Sequence, residues 1–230
     1  MKTRLFTFIF AIIGIIHLYA EAVESVALRH FSKPLIVITL FAWLYSATNL
    51  KGRFHKRIFI GLIFSLTGDV ILMYSASRSG FFSLGLVAFL LSHILYIRAF
   101  TLDHKSNLNA KNPFFLWGTG ALIIFCIGLF FYLQPVLGAM QFAVLIYAIV
   151  ITFMAIMALN RYGKVNVSSF QLILAGALFF LLSDSVLAIN KFSRPIPQAG
   201  ILIMVTYMIA QYLIVYGTVV RELVVKQTEV

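Results

Sequence analysis

Two aspartates, Asp69 and Asp184, stand inside long apolar runs, while the remaining acids of the chain, Glu21, Glu24, Asp103, Glu222 and Glu229, fall near charged or polar punctuation. An ionisable side chain deep in a bilayer costs at least about 2.5 to 3.5 kcal/mol, and such residues face the bundle interior and mark sites or pathways. Two neighbouring carboxylates in a low dielectric cannot both ionise easily, so one keeps its proton and the other carries the charge. That combination supplies a general acid and a general base without metal or cofactor, as carboxylate pairs do in glycoside cleavage. The bland alternative is that each aspartate only caps a broken helix or bridges neighbours by hydrogen bonds.

The elements that must position the pair are membrane helices. Hydrophobic residues make up 62% of the 230 and charged residues only 11%, against about 25% charged in soluble domains. A helix crosses the hydrocarbon core in about 20 residues. The apolar runs then give eight spans, at 4–20, 34–50, 58–76, 81–101, 114–133, 139–159, 170–190 and 198–220, forming one all-α transmembrane domain over 1–230. The break between the fifth and sixth rests on Gln134-Pro135-Val136-Leu137-Gly138, a helix breaker followed by a flexible residue. Counted from the starts of their spans, Asp69 and Asp184 lie about 16 and 21 Å deep, just past the midplane.

Eighteen Lys and Arg against seven Asp and Glu leave a net charge of +11. The basic residues lie between apolar runs and no nucleic-acid motif accompanies them, so they read as topology signals. With the N-terminus inside, twelve (Lys2, Arg4, Lys51, Arg53, Lys56, Arg57, Lys105, Lys111, Arg161, Lys164, Arg221, Lys226) fall on the cytoplasmic side and five (Arg29, Lys33, Arg78, Lys191, Arg194) opposite, with Arg98 near a helix end. This asymmetry predicts both termini in the cytoplasm, of a bacterial inner membrane or, in a eukaryote, of the endoplasmic reticulum. The start of the chain also has the make-up of a signal peptide, with Ala20-Glu21-Ala22 in the cleavage position; because the following chain spans the membrane by itself, the segment reads as the first helix. Cys126 is the only cysteine, which excludes an intrachain disulfide and a paired-cysteine metal site.

A shift of 115 residues lays Gly61-Leu-Ile-Phe-Ser-Leu-Thr-Gly-Asp69 over Gly176-Ala-Leu-Phe-Phe-Leu-Leu-Ser-Asp184, matching Gly, Phe, Leu and Asp, and brings Leu72 onto Leu187. The weight rests on a rare acid meeting a rare acid. Four spans separate the copies, so the expectation is a parallel repeat of four plus four helices, with the aspartates related by a pseudo-twofold axis. His93 and Tyr96 share a face of the fourth span, and Tyr207 and Gln211 a face of the eighth. For all four the plain role is interhelical bonding, the sharper one water or substrate contact near the aspartates. His17 and Tyr147 are weaker candidates, and Ser183 and Asn190 flank the second aspartate. Gly61, Gly176 and Ala177 let helices approach closely.

Lys33-Pro34, Gly68-Asp69, Gly85 with Phe89, His93 and Tyr96, Gly176-Ala177, Ser183-Asp184 and Tyr207 with Gln211 resemble, over nearly the whole chain, the YhhN family of membrane proteins, which includes lysoplasmalogenases. The second motif departs from the first in having Ser in place of Gly before Asp. The resemblance implies hydrolysis of the vinyl ether bond of a lysophospholipid, releasing a fatty aldehyde and a glycerophospho-ethanolamine or -choline. It implies Asp69 and Asp184 as acid and base in an order the sequence leaves open, His93, Tyr96 and Tyr207 as positioning groups, and Lys33, Lys191 and Arg194 around the substrate phosphate. The competing reading is a proton-coupled transporter or lipid exporter with the same two aspartates as a proton relay; a small-ligand receptor and an intramembrane protease are more distant.

Overall fold

The computed structural model describes residues 2–75 and 80–224. Arg78, Lys226 and Glu229, counted above among the loop charges, lie outside the described residues, as does the end of the span expected at 58–76. Within the described residues the chain forms eight α-helices and no strand: α1 (Lys2–Ala22), α2 (Val26–Thr48), α3 (Gly52–Met73), α4 (Phe81–Ser106), α5 (Phe115–Leu137), α6 (Gln141–Leu159), α7 (Val167–Ala188) and α8 (Ala199–Val219). Six helical stretches, α5 and α6 counted as one, are long and apolar enough to cross a membrane. The protein is a multi-pass helical membrane protein. Helix α3 falls short of that apolar standard because it carries Arg53, Lys56, Arg57 and Asp69 in one helix.

Several boundaries move from where hydropathy put them. Pro34 lies inside α2, which begins at Val26 with Ser25 as its cap. Pro135 likewise lies in the last turn of α5, and the break to α6 is the short 3-10 turn Gly138–Met140. Membrane helices tolerate such prolines where neighbours satisfy the freed backbone groups. Helix α3 starts six residues before its expected span and α7 three, which corrects the depth of the aspartates. Each occupies the eighteenth position of a twenty-two-residue helix, four residues before its end. That is about 26 Å from one end and 6 Å from the other, well past the midplane and toward the face opposite the termini.

The 115-residue shift extends far beyond the two motifs. It carries Gly52–Met73 onto 167–188, the bounds of α7; it carries the start of α2 at Val26 onto 141, where α6 begins, and the end of α1 at Ala22 onto 137, where α5 ends. The packing repeats too. Within each half, α3 lies along α4 and α7 along α8; between halves, α2 meets α8 as α6 meets α4. At the junction the Tyr96 hydroxyl donates to Gln211 Oε1 at 2.9 Å, and these two residues are themselves 115 apart. Close approach inside each half rests on Gly61, where a Cβ would fall 2.4 Å from the Tyr96 ring, and Gly176, where it would fall 2.9 Å from the Ala210 carbonyl oxygen. The core between the halves is aromatic and aliphatic, built on Trp43, Phe100, Phe180 and Ile214, all fully buried.

A third carboxylate is buried. Asp103, near the end of α4, is fully enclosed and accepts from Arg161 Nε at 2.7 Å and from Arg221 Nε at 2.8 Å. Arg161 reaches on to the carbonyl and hydroxyl of Ser169 and stacks over Phe54 and Phe100. Two loop cations of the charge count are therefore not solvated loop charges; they tie the ends of α4, α6, α7 and α8 together at the face that bears the termini. Asp69 and Asp184 do not stand alone as buried acids. Asp103 differs from them in that its charge is matched on both oxygens.

Candidate functional site

Both aspartates line one cavity of about 240 Å3 at the end opposite the termini. Its walls come from α2 (Lys33), α3 (Asp69, Leu72), α4 (Phe82, Phe89), α7 (Ser183, Asp184, Leu187) and α8 (Ile203, Met204, Tyr207), with Glu21, Asn190 and Lys191 at the mouth. The matched places of Asp69 and Asp184 on twin helices that end at the same face account for their meeting here.

Their surroundings differ. Asp69, 2% exposed, accepts a hydrogen bond from the Tyr207 hydroxyl at 2.6 Å on one oxygen and pairs with Lys33 Nζ at 3.4 Å on the other. Behind Tyr207 the donors continue in one sense. Gln211 Nε2 donates to the Tyr207 oxygen at 3.3 Å, and Tyr96 donates to Gln211. Each bond in such a chain polarises the next, so the whole row favours negative charge at Asp69. Among the described residues Asp184 faces no cation at salt-bridge distance; its Oδ2 accepts from the Tyr147 hydroxyl at 2.5 Å, and no side-chain hydrogen bond from them falls on its Oδ1. Asp69 is thus held by a cation and a tyrosine relay, and Asp184 by a single phenol.

Of the supporting residues expected from sequence, Lys33, Tyr207, Ser183 and Asn190 line the cavity. Ser183 donates to the Ile203 carbonyl at 3.0 Å and Asn190 accepts from the Ile196 amide at 2.9 Å, so both fasten α7 and its π-helical continuation Ile189–Ser193 to the start of α8. Tyr96 and Gln211 sit one layer behind, as the relay just described. His93 is fully buried and outside the cavity wall, with neither ring nitrogen hydrogen-bonded to a described residue. Its ring stands edge-on to Phe180 at 4.6 Å and to Tyr147 at 5.5 Å, so it packs behind the phenol that holds Asp184. Lys191 lies at the mouth with its ammonium over the Phe82 ring, whereas Arg194 does not line the cavity. His17 bonds Ser32 at 2.8 Å and borders Glu21, which Arg29 also pairs at 3.2 Å.

Tyr147, with His17 one of the two weaker sequence candidates, makes the hydrogen bond to Asp184. The offset contained the clue: 115 residues before it stands Ser32, next to Lys33, so the same wall of the second half faced its own aspartate. Glu21, read as one of the acids in loops or at helix ends, lies in the last turn of α1 and lines the cavity.

A multi-pass helical bundle with a carboxylate pair in a cavity near one membrane face is the class that fold and site define. The chain belongs to the YhhN family, whose model matches residues 28–218. It is similar to a Bos taurus protein named lysoplasmalogenase TMEM86A, 36% identical over 168 residues that cover 71% of this chain and 65% of the relative. The Homo sapiens protein of that name is also 36% identical, over 174 residues. Homo sapiens lysoplasmalogenase TMEM86B is 31% identical over 183 residues, covering 79% of this chain and 70% of the relative. The chain spans 65% of the length of the two TMEM86A relatives. No solved structure matches it.

Proposed function

We propose that the protein is a membrane-embedded hydrolase that cleaves the vinyl ether bond of lysoplasmalogens, with Asp184 as general acid and Asp69 as general base. The observation that carries this reading is the shared cavity with its two unlike aspartates; the relatives named lysoplasmalogenase supply the substrate class.

The reaction adds water across the enol ether. Asp184 Oδ1 delivers its proton to the alkene carbon farther from oxygen, leaving an oxocarbenium ion on the ether carbon. The charge of Asp69 stabilises that cation, and the same carboxylate takes a proton from the water that attacks it. The hemiacetal then collapses: Asp69 returns its proton to the ether oxygen as the glycerol leaves, and the hydroxyl proton passes to Asp184. Fatty aldehyde and glycerophospho headgroup are released, both carboxyl groups return to their starting states, and nothing is oxidised or reduced. Tyr207 and Tyr147 hold the two carboxyl groups in place. Lys33, Lys191 and Asn190 line the side of the cavity where the polar head of a lipid would lie, and the charge asymmetry supports termini in the cytoplasm.

The test is aldehyde release from a lysoplasmalogen by the purified protein in detergent, where no transport is measurable because there is one compartment. Turnover lost in both Asp69→Asn and Asp184→Asn, with the proteins still folded, is the expected result. Near-normal turnover in either variant removes the acid/base pair. Absence of turnover of any vinyl ether lipid by the unaltered protein, with proton movement across liposomes, replaces the reading with the transporter.

A further inference from the structure

Asp184 borders more than the polar cavity. It also lines two narrow apolar crevices, of about 40 and 30 Å3, which share Val144, Tyr147 and Ala188 with one another. The smaller adjoins the cavity through Phe82 and Leu187, which line both. The larger runs between α5, α6 and α7, from Leu133 and Val144 near the cavity end to Cys126 and Thr152. That run covers about 12 Å of helix, from the membrane face toward the midplane. Helix α5, which forms its outer wall, has only three buried residues, Leu122, Leu133 and Leu137, so little core packing fixes it in place.

Resting on the hydrolase reading above, we infer that these joined crevices are the subsite for the single hydrocarbon chain of the substrate, and that Ala188 and Ala148 set which chain lengths the protein accepts. A one-chain lipid has a polar head, a reacting bond and a tail in that order. The cavity with Lys33 and Lys191 and the two apolar crevices meet at the Asp184 carboxyl, which lines all three, so head, bond and tail have these places to occupy in that order. Each volume exceeds the 10 to 15 Å3 that one water-sized probe needs. The tail enters by displacing α5 outward, and the vinyl ether then lies against Asp184 Oδ1.

The test compares a vinyl ether lysolipid of sixteen-carbon chain with one of four carbons. Ala188→Phe puts a ring where the two crevices join, and Ala148→Phe puts one in the larger crevice alone. Both variants should lose about tenfold or more in kcat/KM for the long chain, as expected when a pocket is closed to several methylenes, and stay within about twofold on the short one. The inference is overturned if either variant retains short-chain turnover and the parent's preference between the two chains. An Ala188→Phe protein that turns over neither substrate leaves the decision to Ala148→Phe. Failure of the hydrolase reading looks different: the unaltered protein would then turn over neither lipid.

Discussion

Asp69 and Asp184 hold the same position in helices of the same length, and almost everything around them differs. In the first half, α2 presents Lys33 to its aspartate; in the second, α6 presents Tyr147 from the place that Ser32 occupies one residue before Lys33. Across the halves, Tyr207 of α8 reaches Asp69, while its counterpart at the 115-residue offset is Ser92, a short side chain that bonds Ser65 at 2.8 Å instead. A cation and a tyrosine relay stand on one side, a lone phenol on the other. Two equal scaffolds carrying unequal partners make two acids distinct that a symmetric pair would leave equivalent.

The aspartates give the largest effect. Asp69→Asn and Asp184→Asn should each lower aldehyde release about a thousandfold or more, and the double variant should be hardly worse, because groups acting as a unit are not additive. The rate of the unaltered protein against pH should be bell-shaped. Residual activity of Asp69→Asn should lack the fall on the acid side, since a base must be unprotonated, and that of Asp184→Asn the fall on the alkaline side, since an acid must be protonated. Exchange of those two outcomes would reverse the roles.

Tyr207→Phe and Lys33→Met come next, each expected to cost about 10- to 100-fold in kcat, because each removes stabilisation of the charge on Asp69. Tyr147→Phe should cost less than about tenfold, since the proton leaves from the other oxygen of Asp184; a larger loss than in Tyr207→Phe would contradict the comparison. The smallest effect on turnover belongs to the third carboxylate. Asp103→Asn leaves Arg161 and Arg221 facing each other without their shared anion, so thermal unfolding in detergent should show a loss of about 3 to 5 kcal/mol. Turnover at low temperature should change by less than about twofold.

Hydropathy made the eight helices legible, because a bilayer leaves the backbone little choice. It misjudged α2, where Pro34 read as a start yet lies about a third of the way in, and by starting α3 six and α7 three residues late it put the aspartates too near the midplane. The pair itself was legible from rarity and offset. Their division of labour was not, since it depends on which residue of α6 or α8 turns toward which aspartate, a matter of helix rotation that no spacing within one helix reveals. The Asp103 cluster was hidden for a related reason: its three members lie 58 and 118 residues apart and meet only when four helix ends converge.

The hydrogen bond from Tyr96 to Gln211 carries one further consequence. Positions 115 residues apart that touch one another mark the line about which the halves turn. Were the halves separate, identical chains, the same side chain would meet its own copy there, and the bond would point either way with equal energy. Within one polypeptide the two positions carry different residues, Tyr96 and Gln211, and the bond has a single sense. Directionality at this contact thus comes from unlike residues at equivalent positions, and making them alike by Gln211→Tyr would erase it.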